Sequence, residues 1–127
     1  MRILLVGAGG VGSAFTKIAA RRSFVSGLVV GDIDGGRAAA AASAFGELGR
    51  GVALDASDAA AVEALLRAEG CDVLMNAADP RFVMPLFDAA LAAGCHYVDM
   101  AMSLSKPHPD RPYAETGVKL GDEQFAK

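Results

Sequence analysis

The run Ile3-Leu4-Leu5-Val6 leads directly into Gly7-Ala8-Gly9-Gly10-Val11-Gly12, and a helical pattern follows. A continuous apolar run of this length reads as a strand buried on both faces, which is how parallel strands sit between layers of helices. The glycines read as a tight turn. From Gly10 to Arg22, Val11, Ala14, Phe15, Ile18 and Ala19 recur at helical spacing, with Arg21 and Arg22 in the last turn, where cations suit the helix dipole. Strand, turn and helix make the first half of a βαβ unit, whose crossover is right-handed.

The same alternation continues down the chain. Leu28-Val29-Val30 reads as a second strand ending at Gly31-Asp32, and residues 35–46 as a helix with Ala38, Ala41, Ala42 and Phe45 inward and Gly46 as its stop. A weaker third strand covers Gly51 to Leu54. Asp58 is placed to cap a helix carrying Val62, Leu65 and Leu66 and closed by Gly70. Val73-Leu74-Met75 is the fourth strand. Val83, Leu86, Phe87, Ala90 and Leu91 make a further stripe, with Pro85 near its first turn and Gly94 as its end. Cys95 to Met100 is the fifth strand. The order βαβαβαβαβ predicts an α/β fold, a Rossmann-like doubly wound parallel sheet of five or more strands with helices on both faces.

Residues 1–102 are predicted to form this domain and 103–127 a linker leading to a following segment. The second stretch holds Pro107, Pro109, Pro112, Gly117 and Gly121, which favour a loop, and Asp122 then reads as the cap of a helix cut off by Lys127. At 127 residues, 53% hydrophobic and 21% charged, the chain has the composition of one folded domain and not of a disordered segment. A net charge of −3 provides no basic field for nucleic acid or anionic lipid. No run approaches the length of a membrane span or a signal-peptide core, so a soluble, cytoplasmic protein is expected. Cys71 and Cys95 lack metal-ligand spacing and read as reduced, buried thiols. No metal site is expected.

Gly7 to Gly12 has the GxGxxG pattern. In a strand–turn–helix setting, Gly7 permits the turn, Gly9 allows backbone to approach a pyrophosphate, and Gly12 lets the helix pack on the strand. The N–H groups around Gly10 and Val11 then face the phosphates with the positive end of the helix dipole. Asp32 lies 20 residues beyond Gly12 at the end of the second strand, where a carboxylate accepts hydrogen bonds from both ribose hydroxyls of an adenosine. Together these predict a nicotinamide dinucleotide, NAD or NADP. Asp32 repels a 2′-phosphate and favours NAD, while Arg37 is within reach of one.

Ligands in such a fold sit beyond the carboxyl ends of the strands. Ile33, next to Asp32, and Asp55 with Ala56 after strand three are therefore placed beside the adenosine. Asn76 and Ala77, where strand four exits into Asn76-Ala77-Ala78-Asp79-Pro80, are placed beside the nicotinamide ribose. Tyr97 and Asp99 alternate on strand five and share a face, with Asp99 at the cleft end. His96 and His108 have no Ser or Cys partner in a nucleophilic arrangement, and no catalytic residue is assigned.

Val73-Leu-Met-Asn-Ala-Ala-Asp-Pro80, and Ala89 to Asp99 ending in Gly94-Cys-His-Tyr-Val-Asp99, resemble the saccharopine dehydrogenase family. The resemblance spans residues 1–100 and also takes in the glycine loop and Asp55. It implies an NAD(P)-dependent oxidoreductase acting on an amino acid or related amine by hydride transfer. It also implies that substrate and catalytic groups lie mainly in a second domain beyond this sequence. Such a fragment would bind cofactor without turnover. Its expected partners are the dinucleotide, the missing C-terminal substrate domain and, in a homodimer, a second copy. Asp32 departs from NADP-using members, which often carry a neutral or basic residue there.

Two other functions share parts of the pattern. NAD(H)-sensing domains that gate potassium channels and transporters also carry GxGxxG and an acid after strand two. They need a sixth apolar strand, which the Pro-rich 103–121 does not supply. Short-chain dehydrogenases need Tyr-x-x-x-Lys, but Tyr97 is followed at that spacing by Ala101 and Tyr113 by Gly117.

Overall fold

The computed structural model describes residues 1–100 and 104–126. Five parallel strands form the main sheet: β1 (Arg2–Val6), β2 (Gly27–Asp32), β3 (Gly49–Ala53), β4 (Val73–Asn76) and β5 (His96–Asp99). Their order is β3-β2-β1-β4-β5. The helices between them are α1 (Gly10–Ala19), α2 (Gly35–Ala42), α3 (Ala59–Glu69) and α4 (Val83–Ala93). The predicted doubly wound sheet is present.

Because side chains alternate along a strand, β1 feeds two cores. Ile3 and Leu5 pack with Ala19 of α1 and with Ala38, Ala41 and Ala42 of α2. Leu4 and Val6 pack on the opposite face with Val62 and Leu66 of α3 and with Leu86, Ala89 and Ala90 of α4. β2 is buried along its whole length. The chain steps outward from β1 to β2 to β3, then returns to β4 on the other side of β1. The loops after β1 and β4 therefore diverge at the carboxyl end of the sheet, where a crevice opens. At the opposite end Glu69 accepts ion pairs from both Arg2 and Arg50, tying α3 to β1 and β3.

Several boundaries and one face differ from the sequence reading. α1 ends at Ala19, so Arg21 and Arg22 lie beyond it, and Lys17 is the basic residue of its last turn. The residues of α1 that are buried are Gly12, Thr16 and Ala19, whereas Val11 is 50% and Ile18 55% exposed. Close packing of the helix on β1 selects small residues for the fully buried stripe, with Phe15 half-buried beside it and Val11 and Ile18 facing out. α2 stops at Ala42 and continues as a 3-10 segment, Ser43–Leu48, where Gly46 has positive φ. β3 begins at Gly49 instead of Gly51, and Leu54 is buried just beyond its end. Asp58 caps α3 by accepting from the Ala61 N–H, and Gly70 and Gly94 close α3 and α4 in the left-handed conformation.

Residues predicted as loop carry a small antiparallel pair, β6 (Leu104–Lys106) with β7 (Val118–Lys119), and a short α5 (Asp122–Phe125). Gly121, not Asp122, is the cap of α5; the Asp122 carboxylate instead accepts from the Lys119 N–H. Phe125 meets Phe87 of α4 edge-on at 6.1 Å, and the Gln124 amide donates to Asp88. These contacts fold the segment back against α4. Among the described residues no helix is long and apolar enough to cross a membrane.

The inward and outward faces can be checked by truncation. Leu4→Ala, at a fully buried site in the central strand, should cost about 2–5 kcal/mol in urea unfolding. Ile18→Ala, on the exposed face of α1, should stay within about 0.5 kcal/mol.

Candidate functional site

The loop after β1 is shaped by two close approaches. Gly7 has φ of +100°, and a Cβ there would meet the Ala77 carbonyl oxygen at 2.8 Å. A Cβ on Gly12 would lie 1.9 Å from the Gly7 carbonyl oxygen. The two glycines let α1 start immediately beside β1 and let the loop pass against the β4 exit. Gly9 caps α1 without a side-chain hydrogen bond, and a Cβ on it or on Gly10 would meet nothing within 4 Å. No acidic side chain stands in the first turn of α1. The helix therefore presents open, uncapped N–H groups and an uncompensated positive dipole end, which suits a phosphate.

A cavity of about 350 Å³ lies alongside this loop. It gathers Gly7, Gly9, Asp32, Ile33, Asp55, Ala56 and Ala77 from the predicted set. Gly12 is absent from its wall because its role is packing. Val11 and Asn76 line a neighbouring smaller cavity, which also shares Ala77. Sequence reading did not pick out Leu54, Ala78 or Phe82, which also line the larger cavity. Leu54, read from the sequence as the last residue of the third strand, lies one residue past its end at Ala53. Phe82 enters from the turn before α4 and carries no motif. Ile33, 70% exposed, adds a further apolar surface at the rim.

Asp32 is 8% exposed and does structural work as well. Its carboxylate accepts from the Ala8 N–H at 2.8 Å, the Asp34 N–H at 2.9 Å and the Arg37 guanidinium at 2.8 Å. Burial pushes this carboxyl up, but the backbone hydrogen bonds from Asp34 and Ala8 and the pairing with Arg37 outweigh it and hold it below its ordinary value. The acid thus stays ionised and braces the glycine loop against the end of β2. Asp55 accepts from the N–H and hydroxyl of Ser57, closing its own turn and placing Ala56 at the cavity.

Asn76 is 3% exposed, and its side chain turns inward. Its oxygen accepts from the Ala78 N–H at 2.9 Å, and its amide donates to the Tyr97 hydroxyl at 3.0 Å. Tyr97 in turn donates to Asp99 at 3.0 Å, confirming that the two share a face. Burial pushes the Tyr97 phenol well above its ordinary value, so it remains a donor. Among the described residues no group of three or more His, Cys, Asp or Glu side chains is placed to hold a metal.

The Asp32 bonds make a pH prediction. With its folded-state pKa lowered, the folded protein binds fewer protons here than the unfolded chain, so this contribution is complete above about pH 4 and fades as acid protonates Asp32. Urea midpoints measured from about pH 5 down to about pH 2 should fall more steeply for wild type than for Asp32→Asn.

Comparison with known proteins agrees with this architecture. The family described as the saccharopine dehydrogenase NADP-binding domain matches residues 3–127. No curated protein matches the chain. Among solved structures, saccharopine dehydrogenase (L-Glu forming) from Saccharomyces cerevisiae superposes with a TM-score of 0.70 at 22% identity, over 84% of this chain and 22% of that one. A 3-ketoreductase mutant from Actinomadura kijaniata, in complex with TDP-benzene and NADP, gives 0.63 at 19% identity, over 78% and 29%. Quinate dehydrogenase from Corynebacterium glutamicum in complex with NAD gives 0.51 at 28% identity, over 76% and 43%. The chain thus spans less than half the length of each. With a family match that runs almost from end to end, on a fold shared with these dehydrogenases, the chain belongs to the saccharopine dehydrogenase family as its NADP-binding domain.

Proposed function

We propose that the crevice binds the dinucleotide with its diphosphate on Gly9, Gly10 and the start of α1, and its adenosine in the cavity bounded by Asp32, Ile33, Asp55 and Ala56. The observation that carries this is the uncapped N-terminus of α1 opening onto a cavity with an ionised carboxylate, Asp32, at the end of β2. The residues fit the group: Gly9 leaves room for close backbone approach, and Leu54, Ile33 and Phe82 offer apolar surface to a purine. When bound, the dinucleotide supplies hydride transfer between its nicotinamide ring and a substrate carbon. This chain's own residues bind and orient it. We assign no catalytic residue here, and place substrate recognition, of an amino acid or related amine, in protein beyond these residues.

Although the family is described by NADP, we assign this chain to NAD. Asp32 is held ionised where a 2′-phosphate would arrive, and Arg37 spends its guanidinium on that same carboxylate. Soluble, cytoplasmic oxidoreductase activity in a longer protein, with a homodimer as a further arrangement, completes the reading.

Titration calorimetry tests it. NADH should bind more tightly than NADPH, and absence of binding to either at about millimolar concentration, a free energy of roughly −4 kcal/mol, sinks the proposal. Asp32→Ala should weaken NADH about tenfold, the effect of losing hydrogen bonds to a charged acceptor. It should weaken NADPH less, since Arg37 is then released toward the phosphate. Loss of the Ala8 bond affects both ligands alike, so the ranking is the readout, and the reverse ranking refutes the role given to Asp32.

A further inference from the structure

The smaller cavity, about 180 Å³, opens beyond the ends of β4 and β5. It shares Ala77 and Ala78 with the larger one, so the two adjoin across the loop after β4. Val11 and Val83 give it apolar walls, and Asp99 adds a carboxylate. A ligand that begins at Asp32 and crosses Gly9 would bring its far end here.

The hydrogen bonds behind this cavity run in one forced direction. The Ala78 N–H has only a proton to give, so the atom of Asn76 that faces it is the oxygen. The Asn76 amide nitrogen must then face Tyr97 and donate to its oxygen. The phenol proton is left for Asp99, whose Oδ2 it meets at 3.0 Å. Burial keeps that phenol protonated. Tyr97, itself held by Asn76, thus hydrogen-bonds the Asp99 carboxylate at the cavity wall.

Resting on the dinucleotide reading above, the geometry points to Asp99 as a specificity-determining residue for the nicotinamide end. Its carboxylate accepts a carboxamide N–H and favours the positively charged, oxidised ring over the neutral, reduced one. The valines supply the apolar contact a flat ring needs. Tyr97 is a positioning residue that acts through Asp99. A partly exposed ion pair of this kind changes affinity about two- to fivefold.

The test measures binding of NAD+, NADH and ADP-ribose to the 127-residue chain, to Asp99→Asn and to Tyr97→Phe. ADP-ribose has no nicotinamide and should bind all three proteins equally. Asp99→Asn should lower the preference for NAD+ over NADH about two- to fivefold. Tyr97→Phe should lower it by less, because the carboxylate remains and loses only the hydrogen bond from Tyr97. An unchanged preference in Asp99→Asn, with ADP-ribose still bound, overturns this assignment and leaves the dinucleotide reading intact. Failure of wild type to bind either ADP-ribose or NAD+ overturns both. If Asp99→Asn does not fold, an unchanged preference in Tyr97→Phe is decisive against the proposal.

Discussion

The contact between Gly12 and the Gly7 carbonyl is the constraint on which the site depends. With room for no more than a hydrogen at Gly12, the first turn of α1 lies directly on the end of β1. That distance sets where the uncapped N–H groups point. It also explains the inward stripe of α1, where Gly12, Thr16 and Ala19 face the sheet and Val11 and Ile18 face out. A helix held this close leaves little space beneath its first turn, where the inward residue is Gly12. Gly7 extends the same economy sideways, since its positive φ lets the loop touch Ala77 and joins the β1 and β4 exits into one crevice floor.

Electrostatics then divides the crevice. On the side of β2, Asp32 is neutralised in part by Arg37 and braced by two backbone N–H groups. Its charge serves the fold and, in the proposed complex, the ligand, because the groups that tie it to the loop also hold the acid in its ionised form. On the side of β5, Asp99 is oriented through Tyr97 and Asn76. The positive helix end lies between two oriented carboxylates, an arrangement matched to a ligand with phosphates in the middle and hydrogen-bond donors at both ends.

Much of the architecture was legible from periodicity. Apolar runs at Ile3–Val6 and Val73–Met75 marked buried parallel strands, and Asp58, Gly70 and Gly94 marked helix ends, because caps and left-handed glycines act locally. The pairing within residues 104–126 was not legible. Its strands are short and largely exposed, and Phe125 gains its place from Phe87, 38 positions away in sequence. The direction of Asn76 was equally hidden. Its position at the strand exit places it beside the expected ligand, but only the fold shows that its amide donates to Tyr97 on the adjacent strand.

By itself, then, the chain's order of residues determined the βα alternation, the glycine turn and the acid at the end of β2, since each follows from local sterics, capping or period. Only the tertiary structure decided which face of α1 is buried, that Leu54 and Phe82 meet at one cavity, and that Asp99 is aimed by two neighbours. Those outcomes depend on the distance between elements and on partners far apart in sequence, and no local pattern encodes either.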